Sequence, residues 1–426
     1  MEIHVLQPGE SPEDVARQYG VSLSRLLYDN GLPEAGAAVV GQALLILQPE
    51  LIHRVQPGET AEGIAAQYGI SLRQLLRNNP YLIHQQYLQE GEYLVIRYQD
   101  EPSRTATVNG YAYTYINSGT LEEALPYLTD LSIFSYGFTE AGELIPPEPG
   151  DEPLLEAART FSVRPILVLT PRSGQETFNS SLVTVLVEDP AVQETLIRNL
   201  TALMREKGYQ GLDVDFEYIE AEDRDNYVAF IRSLTEQMNE QGFTVSVALA
   251  PKNSAEQPGV LYEGIDYAGL GAAANSVLLM TYEWGYTYGP PMAVAPINQV
   301  RRVAEYGVSE IDPAKIDLGI PNYGYDWPLP FERGTTRAQS IGNLEAVEIA
   351  AAYGRAIQFD ETAASPWFTY TSGDREHEVW FEDVRSLQAK FDLIQELGLR
   401  GAGYWNLMRP FRPNWLLLNG NFRIEP

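Results

Sequence analysis

Several residue types and patterns are scarce or absent in this chain. It contains no cysteine, which excludes disulfides, thiolate metal sites and cysteine nucleophiles. Only four histidines are present, so a histidine-ligated metal site is not expected. No apolar run approaches the ~20 residues that a membrane-spanning helix needs, and the first residues lack the basic and apolar stretches of a secretory signal peptide. We expect no metal, no cofactor and no membrane insertion.

Basic residues are also few. The chain of 426 residues has 29 Lys and Arg against 58 Asp and Glu, a formal net charge of -29. An acidic surface of this kind aids solubility and disfavours binding to nucleic acid, which we do not expect as a partner. The hydrophobic fraction of 44% is that of a globular chain with room for one large domain and smaller modules.

The N-terminal part of the chain contains an internal repeat. Residues 4–30 align without gaps on residues 53–79, with fifteen of twenty-seven positions identical. Each copy predicts a strand, a Pro-Gly turn, two capped helices and a closing strand, which is a β-α-α-β unit. We place the repeats at residues 1–49 and 50–98. Because so small a unit buries little apolar surface, we expect it to recognise a repetitive ligand.

Both copies resemble the lysin motif, the LysM domain. The resemblance rests on the opening "VQPGET", the helix "IAAQYGIS" and the end "LQEGEYLVI". It implies binding to glycan that contains N-acetylglucosamine, either peptidoglycan or chitin, by the loops after the first strand and before the second. Residues 99–104, "QDEPSR", are predicted to be a short polar linker.

Beyond the linker, residues 105–426 show short apolar strands that alternate with helical segments. Eight such strands predict an α/β fold, a (β/α)8 TIM barrel. The interval between Trp327 and Leu399 is far longer than an ordinary connection, so we expect a small α+β insertion at about residues 328–398. The eight segments are "GYAYTYI", "LSIFSYGF", "RPILVLT", "GLDVDFEYI", "FTVSVALAP", "SVLLMTYEW", "KIDLGIPNYGY" and "GAGYWNL".

Three acids line one face of the fourth predicted strand, in the segment "QGLDVDFEY". Asp213, Asp215 and Glu217 alternate with apolar side chains, and Glu217 comes last, nearest the barrel mouth. Carboxylates crowded in a poorly solvated place raise one another's pKa, which suits acid catalysis. Two other interpretations remain open: the acids satisfy one another and nearby tyrosines, or they bind calcium or magnesium.

The segment "QGLDVDFE" is similar to the DGxDxDxE signature of glycoside hydrolase family 18, with Gln210 in place of its first Asp. Further matches, in order, are "LLMTYEW", with Glu283 where many members have Asp, "LGIPNYGYDW" and "GAGYWNL". The resemblance covers about residues 105–426. It implies retaining, substrate-assisted hydrolysis, in which the acetamido oxygen of the sugar attacks the anomeric carbon.

The resemblance also implies roles for individual residues. Glu217 would be the general acid and later the base, and Asp215 would accept the acetamide N–H and stabilise the oxazolinium ion. Asp213 would share a proton with Asp215, and Tyr282 would hold the acetamido oxygen. Trp405 would form the floor under the sugar. Other expected substrate-binding residues are Glu283, Tyr323, Asn322 and Tyr136.

The whole arrangement, with "MTYEWGYTYGPP" and "HEVWFEDVRS", resembles the bacterial spore cortex-fragment-lytic enzymes. That resemblance implies N-acetylglucosaminidase action on cortex peptidoglycan and a location in the bacterial spore. Muramic lactam in the cortex has no free acetamido group, so N-acetylglucosamine should become the new reducing end. A chitinase remains an alternative, as do a non-catalytic glycan-binding surface protein and a metal-dependent hydrolase.

Overall fold

The computed structural model describes residues 1–99, 102, 104–172 and 179–425. Of the predicted linker at 99–104, residues 100, 101 and 103 lie outside the described residues. Within the described part of the chain, no helix is both long and apolar enough to span a bilayer.

Two β-α-α-β units come first, as predicted. Each unit pairs its two strands antiparallel. Ser11 and Thr60 cap the first helix of each unit, and Gly20 and Gly69 end that helix with φ of 68° in both cases. The side-chain oxygen of each cap satisfies a backbone N–H that a helix start leaves free. The elements are β1 (Glu2–Val5), α1 (Pro12–Tyr19), α2 (Leu23–Asp29) and β2 (Ala43–Ile46), then β3 (Pro49–Arg54), α3 (Ala61–Tyr68), α4 (Leu72–Asn78) and β4 (Tyr93–Tyr98).

The larger domain is built on strands that alternate with helices over much of its length. In chain order, the strands begin with β5 (Arg104–Tyr113), β6 (Asp130–Phe138), β7 (Leu144–Ile145), β8 (Arg164–Leu169), β9 (Gly211–Val214), β10 (Thr244–Leu249), β11 (Ser276–Leu279) and β12 (Ile316–Pro321). They are followed by β13 (Gly324–Pro328), β14 (Gln339–Ile341), β15 (Gln358–Asp360), β16 (Ser365–Ser372), β17 (Arg375–Trp380), β18 (Gly401–Trp405) and β19 (Phe422–Ile424).

Eight of these strands form a closed parallel barrel. They pair in the order β5-β18-β12-β11-β10-β9-β8-β6, and pairing of β6 with β5 closes the ring. One strand lies in each of the eight predicted segments, so the prediction of a TIM barrel is confirmed. The barrel places the carboxyl ends of all eight strands at one mouth.

Helices connect the barrel strands, and their apolar residues share one buried core with the outward faces of the strands. Leu212 and Val214 of β9 belong to that core together with Leu200 and Met204 of the preceding long helix. The helices are α5 (Ser118–Ala124), α6 (Glu152–Thr160), α7 (Ser180–Glu188), α8 (Pro190–Lys207), α9 (Arg224–Glu240), α10 (Tyr267–Ala273), α11 (Ile297–Glu310), α12 (Asn343–Ala352), α13 (Val384–Leu397) and α14 (Arg412–Asn421).

An insertion separates β12 from β18. It is an antiparallel sheet in the order β14-β13-β17-β16-β15, with α12 between β14 and β15. The sheet begins at Gly324 and ends at Trp380, whereas the sequence places the insertion at about 328–398. The early start was missed because β13 continues the apolar pattern of β12 after a break of two residues. At the other end, α13 is the helix that leads into β18.

The second repeat packs directly on the barrel domain. Arg77 and Arg73 of α4 donate from Nε to the carbonyl oxygen of Pro126, at 2.6 and 2.9 Å. The Tyr127 hydroxyl donates in return to the carbonyl oxygen of Arg77, at 2.8 Å. Bonds in both directions fix the repeat against the turn between α5 and β6.

Candidate active site

The three acids of the fourth barrel strand lie at the end of β9. Asp213 and Asp215 are buried inside the barrel, and Glu217 is partly buried at its mouth. The alternate residues face the other way, where Leu212, Val214 and Phe216 belong to the core. Tyr218, which the alternation also placed on the core face, has φ of 58° and is 46% exposed, so the pattern stops at Glu217.

Asp213 is the innermost acid and has two hydrogen-bond donors. The Tyr111 hydroxyl donates to its Oδ2 over 2.9 Å, and the Ser246 hydroxyl donates to its Oδ1 over 2.5 Å. Burial raises the pKa of Asp213 to about 6, although both hydroxyls act against that rise. Tyr111 on β5 and Ser246 on β10 were not anticipated. Their only signal in the sequence is a polar group at an interior position of an apolar strand.

Asp215 lies between the other two acids and carries a free acceptor. Its backbone N–H donates to the carbonyl oxygen of Leu169 over 3.0 Å, which ties the residue to β8. Its Oδ1 is buried and has no hydrogen-bond partner among the described residues. Burial, followed by the charges of Glu217 and Asp213, raises the pKa of Asp215 well above its usual range. A buried acceptor without a donor is costly unless a ligand supplies one.

Glu217 is the outermost acid. Burial raises its pKa, and the charge of Glu283 adds to the rise. The carboxyl group therefore keeps its proton to a higher pH than an exposed glutamate does. A partly buried acid that stays protonated at the mouth of a barrel has the properties of a general acid.

Glu283 follows β11 with φ of 67°, in the left-handed region that residues other than glycine rarely adopt. Its carboxylate accepts hydrogen bonds from the hydroxyls of Tyr323 and Tyr325, the latter over 3.0 and 3.3 Å. Desolvation raises the pKa of Glu283, while the two hydroxyls lower it. Tyr325 was missed from the sequence, although it stands two residues after the expected Tyr323.

A pocket of about 120 Å³ opens between these groups at the barrel mouth. It brings together Asp215, Glu217, Tyr282, Glu283 and Trp405, all of which were expected in the site. Burial, followed by the charge of Asp215, raises the pKa of Tyr282 well above its usual range, so its hydroxyl remains a donor. The remaining lining residues are Tyr111, Ala248, Leu278 and Met280.

Trp405 is held in place by aromatic neighbours. Its ring meets those of Phe134, Tyr111 and Tyr113 edge to face, at centroid distances of 5.0, 5.8 and 5.9 Å. Such pairs fix ring orientation because the edge of one ring carries the opposite partial charge to the face of the other. The indole therefore presents a fixed surface to the pocket.

Three expected substrate-binding residues do not line the pocket. Tyr323 is buried, and its hydroxyl donates to Glu283, which does line the pocket. Tyr136 is buried, and its hydroxyl donates to Oδ2 of Asp151 over 2.8 Å. The pairing of β6 with β8 is irregular between Ile133 and Tyr136. The expectation for Tyr136 came from the family resemblance, and Tyr136 does not line the pocket. Asn322 is also buried, and its amide donates to the carbonyl oxygens of Asn406 and Arg409, at 3.0 and 2.9 Å. Asn322 thus supports the loop after Trp405.

Within the part of the chain that the structure describes, no group of three or more His, Asp or Glu side chains has the arrangement of a metal site. The three acids differ in their surroundings. Asp213 is hydrogen-bonded, Asp215 has an oxygen without a donor, and Glu217 lies at the mouth of the barrel.

Comparison with known proteins gives matches over the whole chain. The model of glycosyl hydrolases family 18 matches residues 173–409, and the LysM domain model matches residues 4–46 and 53–97. The cortical fragment-lytic enzyme of Bacillus anthracis is 37% identical over 441 residues, covering 100% of this chain and 99% of that protein. The enzyme of the same name from Bacillus subtilis (strain 168) is 41% identical over 304 residues, with 71% and 70% of the two chains covered.

A solved structure also matches over nearly the full length. The spore cortex-lytic enzyme SleL of Bacillus megaterium QM B1551 superposes with a TM-score of 0.84 at 35% identity, covering 99% of this chain and 98% of that one. Both repeats and the barrel therefore have counterparts in a single known architecture.

Proposed function

Since the chain belongs to glycoside hydrolase family 18, we propose that it cleaves spore cortex peptidoglycan as an N-acetylglucosaminidase. The LysM part of the chain supplies glycan binding in addition to the catalytic cleft. The observation that carries the proposal is the free Oδ1 of Asp215, buried in a pocket that also contains Glu217, Tyr282 and Trp405. A sugar with an acetamido group supplies the N–H that this oxygen lacks.

In the first step the proton of Glu217 passes to the glycosidic oxygen as the bond from that oxygen to the anomeric carbon breaks. The acetamido oxygen of the same sugar attacks the anomeric carbon and closes an oxazolinium ring. The ring is cationic, and Asp215 accepts its N–H and stabilises the positive charge. Asp213, whose charge acts on Asp215, shares a proton with it, so the acid line need not carry three charges.

In the second step the ionised Glu217 takes a proton from water, and the oxygen of that water attacks the anomeric carbon. The ring opens, the acetamido group is restored, and the product retains its configuration. The Tyr282 hydroxyl holds the acetamido oxygen in line for the first attack. The face of Trp405 supports the apolar side of the pyranose.

Support for the cortex as substrate comes from the names of the relatives, which are cortical fragment-lytic enzymes along the full length of this chain. In such glycan the muramic lactam offers no acetamido nucleophile. The cleaved bond is then the one whose anomeric carbon belongs to N-acetylglucosamine. On the same grounds we propose a location in the bacterial spore.

The test is product identification. Purified cortex fragments are digested with the wild type and with Glu217→Gln, the products are reduced with borohydride, and the reduced sugar is identified by mass spectrometry. We expect reduced N-acetylglucosamine from the wild type and none from the variant. Reduced muramic acid would show that the bond assignment is wrong. Cleavage of chitin oligomers alone, with chitobiose released, would establish a chitinase.

A further inference from the structure

The two repeats end in the same turn. Gly41 and Gly91 have φ of 81° and 84°, and their N–H groups donate to the carbonyl oxygens of Leu6 and Val55 over 2.8 and 2.9 Å. The two glycines are therefore structural counterparts, and the residues before them can be compared position by position. The first repeat reads "AAVVG" over residues 37–41, and the second reads "YLQEG" over residues 87–91. Val39 and Val40 of the first repeat thus correspond to Gln89 and Glu90 of the second.

In the first repeat this stretch, residues 37–41, is docked on the insertion of the barrel domain and on α13, the helix that follows it. The N–H of Ile357 donates to the carbonyl oxygen of Val40 over 2.9 Å, and Nη2 of Arg385 donates to that of Gly41 over 3.2 Å. A Cβ on Gly41 would lie 1.8 Å from the carbonyl oxygen of Ile357, so only glycine allows the two backbones to approach so closely. Val39 packs against the apolar core of the insertion.

In the second repeat the matching surface is open. Tyr87 is 72% exposed and Tyr93 is 61% exposed. Strand pairing makes Ala43 the counterpart of Tyr93, because each stands opposite the last residue of the first strand of its repeat. Ala43 is only 8% exposed. A small covered residue in one repeat thus corresponds to a large uncovered aromatic residue in the other.

The two exposed tyrosines are also ordered by their neighbours. Nε2 of Gln85 donates to the carbonyl oxygen of Tyr87 over 2.8 Å, and the Tyr81 hydroxyl donates to that of Tyr93 over 3.1 Å. Backbone that is fixed before binding loses less conformational freedom when a ligand arrives. Tyrosine rings beside amide groups suit a neutral sugar, since the ring stacks on the C–H face of a pyranose while amides meet its hydroxyls.

From these observations we infer that the two repeats have different roles. The first repeat has a structural role, because it packs on the insertion and stabilises it. The second repeat carries the exposed surface that binds glycan, with Tyr87 and Tyr93 as the residues that stack on sugar rings. This inference rests on the proposed function for the identity of the ligand. It makes the two modules unequal, because the surface around the second strand is covered in the first repeat and open in the second.

Binding is tested in the full-length Glu217→Gln variant, which leaves the glycan uncut. Co-sedimentation with purified insoluble cortex peptidoglycan gives the Kd. Adding Tyr87→Ala and Tyr93→Ala is expected to raise the Kd about tenfold or more. The matched control changes Pro33 and Glu34, two exposed residues in the same loop of the first repeat, to alanine, with an expected change below about twofold.

Equal losses in the tyrosine variant and the control would mean two equivalent sites and overturn the inference. Unchanged binding in the tyrosine variant, while the parent protein still binds, would overturn it as well. Product analysis of the active enzyme is a separate readout. If the wild type releases no sugar, the proposed function fails whatever the binding result.

Docking of the first repeat is tested by a second matched pair. Val39 and Gln89 are counterparts, one packed on the insertion and the other exposed. Val39→Asp places a charge in an apolar contact and is expected to lower the unfolding temperature by several degrees. Gln89→Asp is expected to leave it unchanged within about one degree. The same shift in both variants would contradict a structural role for the first repeat.

Discussion

The hydroxyl of Tyr111 donates to Oδ2 of Asp213 over 2.9 Å, between strands that are far apart in the chain. Together with Ser246, it supports a carboxyl group that has no access to water. The inner acid is thus fixed in position. Burial raises its pKa, and the charges of Asp317 and Asp130 add to the rise.

Asp213→Asn is expected to change how stability depends on pH. The folded pKa of Asp213 is raised to about 6, so the folded state binds more protons than the unfolded state above about pH 4. The free energy of unfolding of the wild type therefore falls as pH rises through this window. Asparagine does not titrate. The free energy of unfolding of the variant, relative to that of the wild type, should therefore rise by about 1–2 kcal/mol between about pH 5 and pH 8. Denaturant unfolding at a series of pH values measures this gain, and parallel profiles for the two proteins would contradict it.

Glu283→Gln is expected to move the alkaline limb of the kcat/KM profile to lower pH. The charge of Glu283 helps to raise the pKa of Glu217, so its removal lowers the pKa at which the general acid is lost. Glu283→Asp keeps the charge and serves as the control, with the limb expected near that of the wild type. Identical limbs in the wild type and the glutamine variant would show that Glu283 does not act on Glu217.

Tyr282→Phe is expected to lower kcat about 10–100-fold on cortex fragments, because the acetamido oxygen loses the donor that aligns it for attack. The ring and its packing remain, so the unfolding temperature should not change. Tyr286→Phe, at an exposed position in the following loop, is the control and should behave as the wild type. Steady-state kinetics separates the outcomes, and a change confined to KM would assign Tyr282 to binding alone.

Treatment with EDTA followed by gel filtration is expected to leave kcat/KM unchanged. The described residues offer no cluster suited to a metal ion, and the proposed steps use only carboxyl groups, a hydroxyl and the substrate. Activity that is lost in EDTA and restored by calcium or magnesium would favour the metal-dependent alternative.

The sequence was informative wherever a local pattern decided the structure. Alternation placed Asp213, Asp215 and Glu217 on one face of the fourth predicted strand, and the internal match located both repeats. It failed where long-range contacts decide. Asp213 and its donor Tyr111 are 102 residues apart, and no local pattern records that pairing. The resemblance put Tyr136 among the substrate-binding residues, whereas its hydroxyl donates to Asp151, a contact that no local pattern records.

The insertion illustrates a different limit. Gly324 to Trp327 alternate just as the preceding barrel strand does, so the sequence shows no boundary between β12 and β13. The chain leaves the barrel there because β13 finds antiparallel partners in β14 and β17. Those partners lie later in the chain, and their availability cannot be judged from the segment itself.

The hydrogen bonds from Arg73 and Arg77 to the carbonyl oxygen of Pro126 fix the distance between the second repeat and the catalytic pocket. Because of these bonds, the second repeat and the barrel domain form one rigid unit, and the repeat does not move on a flexible linker. A glycan strand held by that repeat reaches Glu217 only after a fixed run of sugars. We expect the enzyme, while bound, to cut strands at a set distance from the held sugars and to shorten long glycans toward a preferred length.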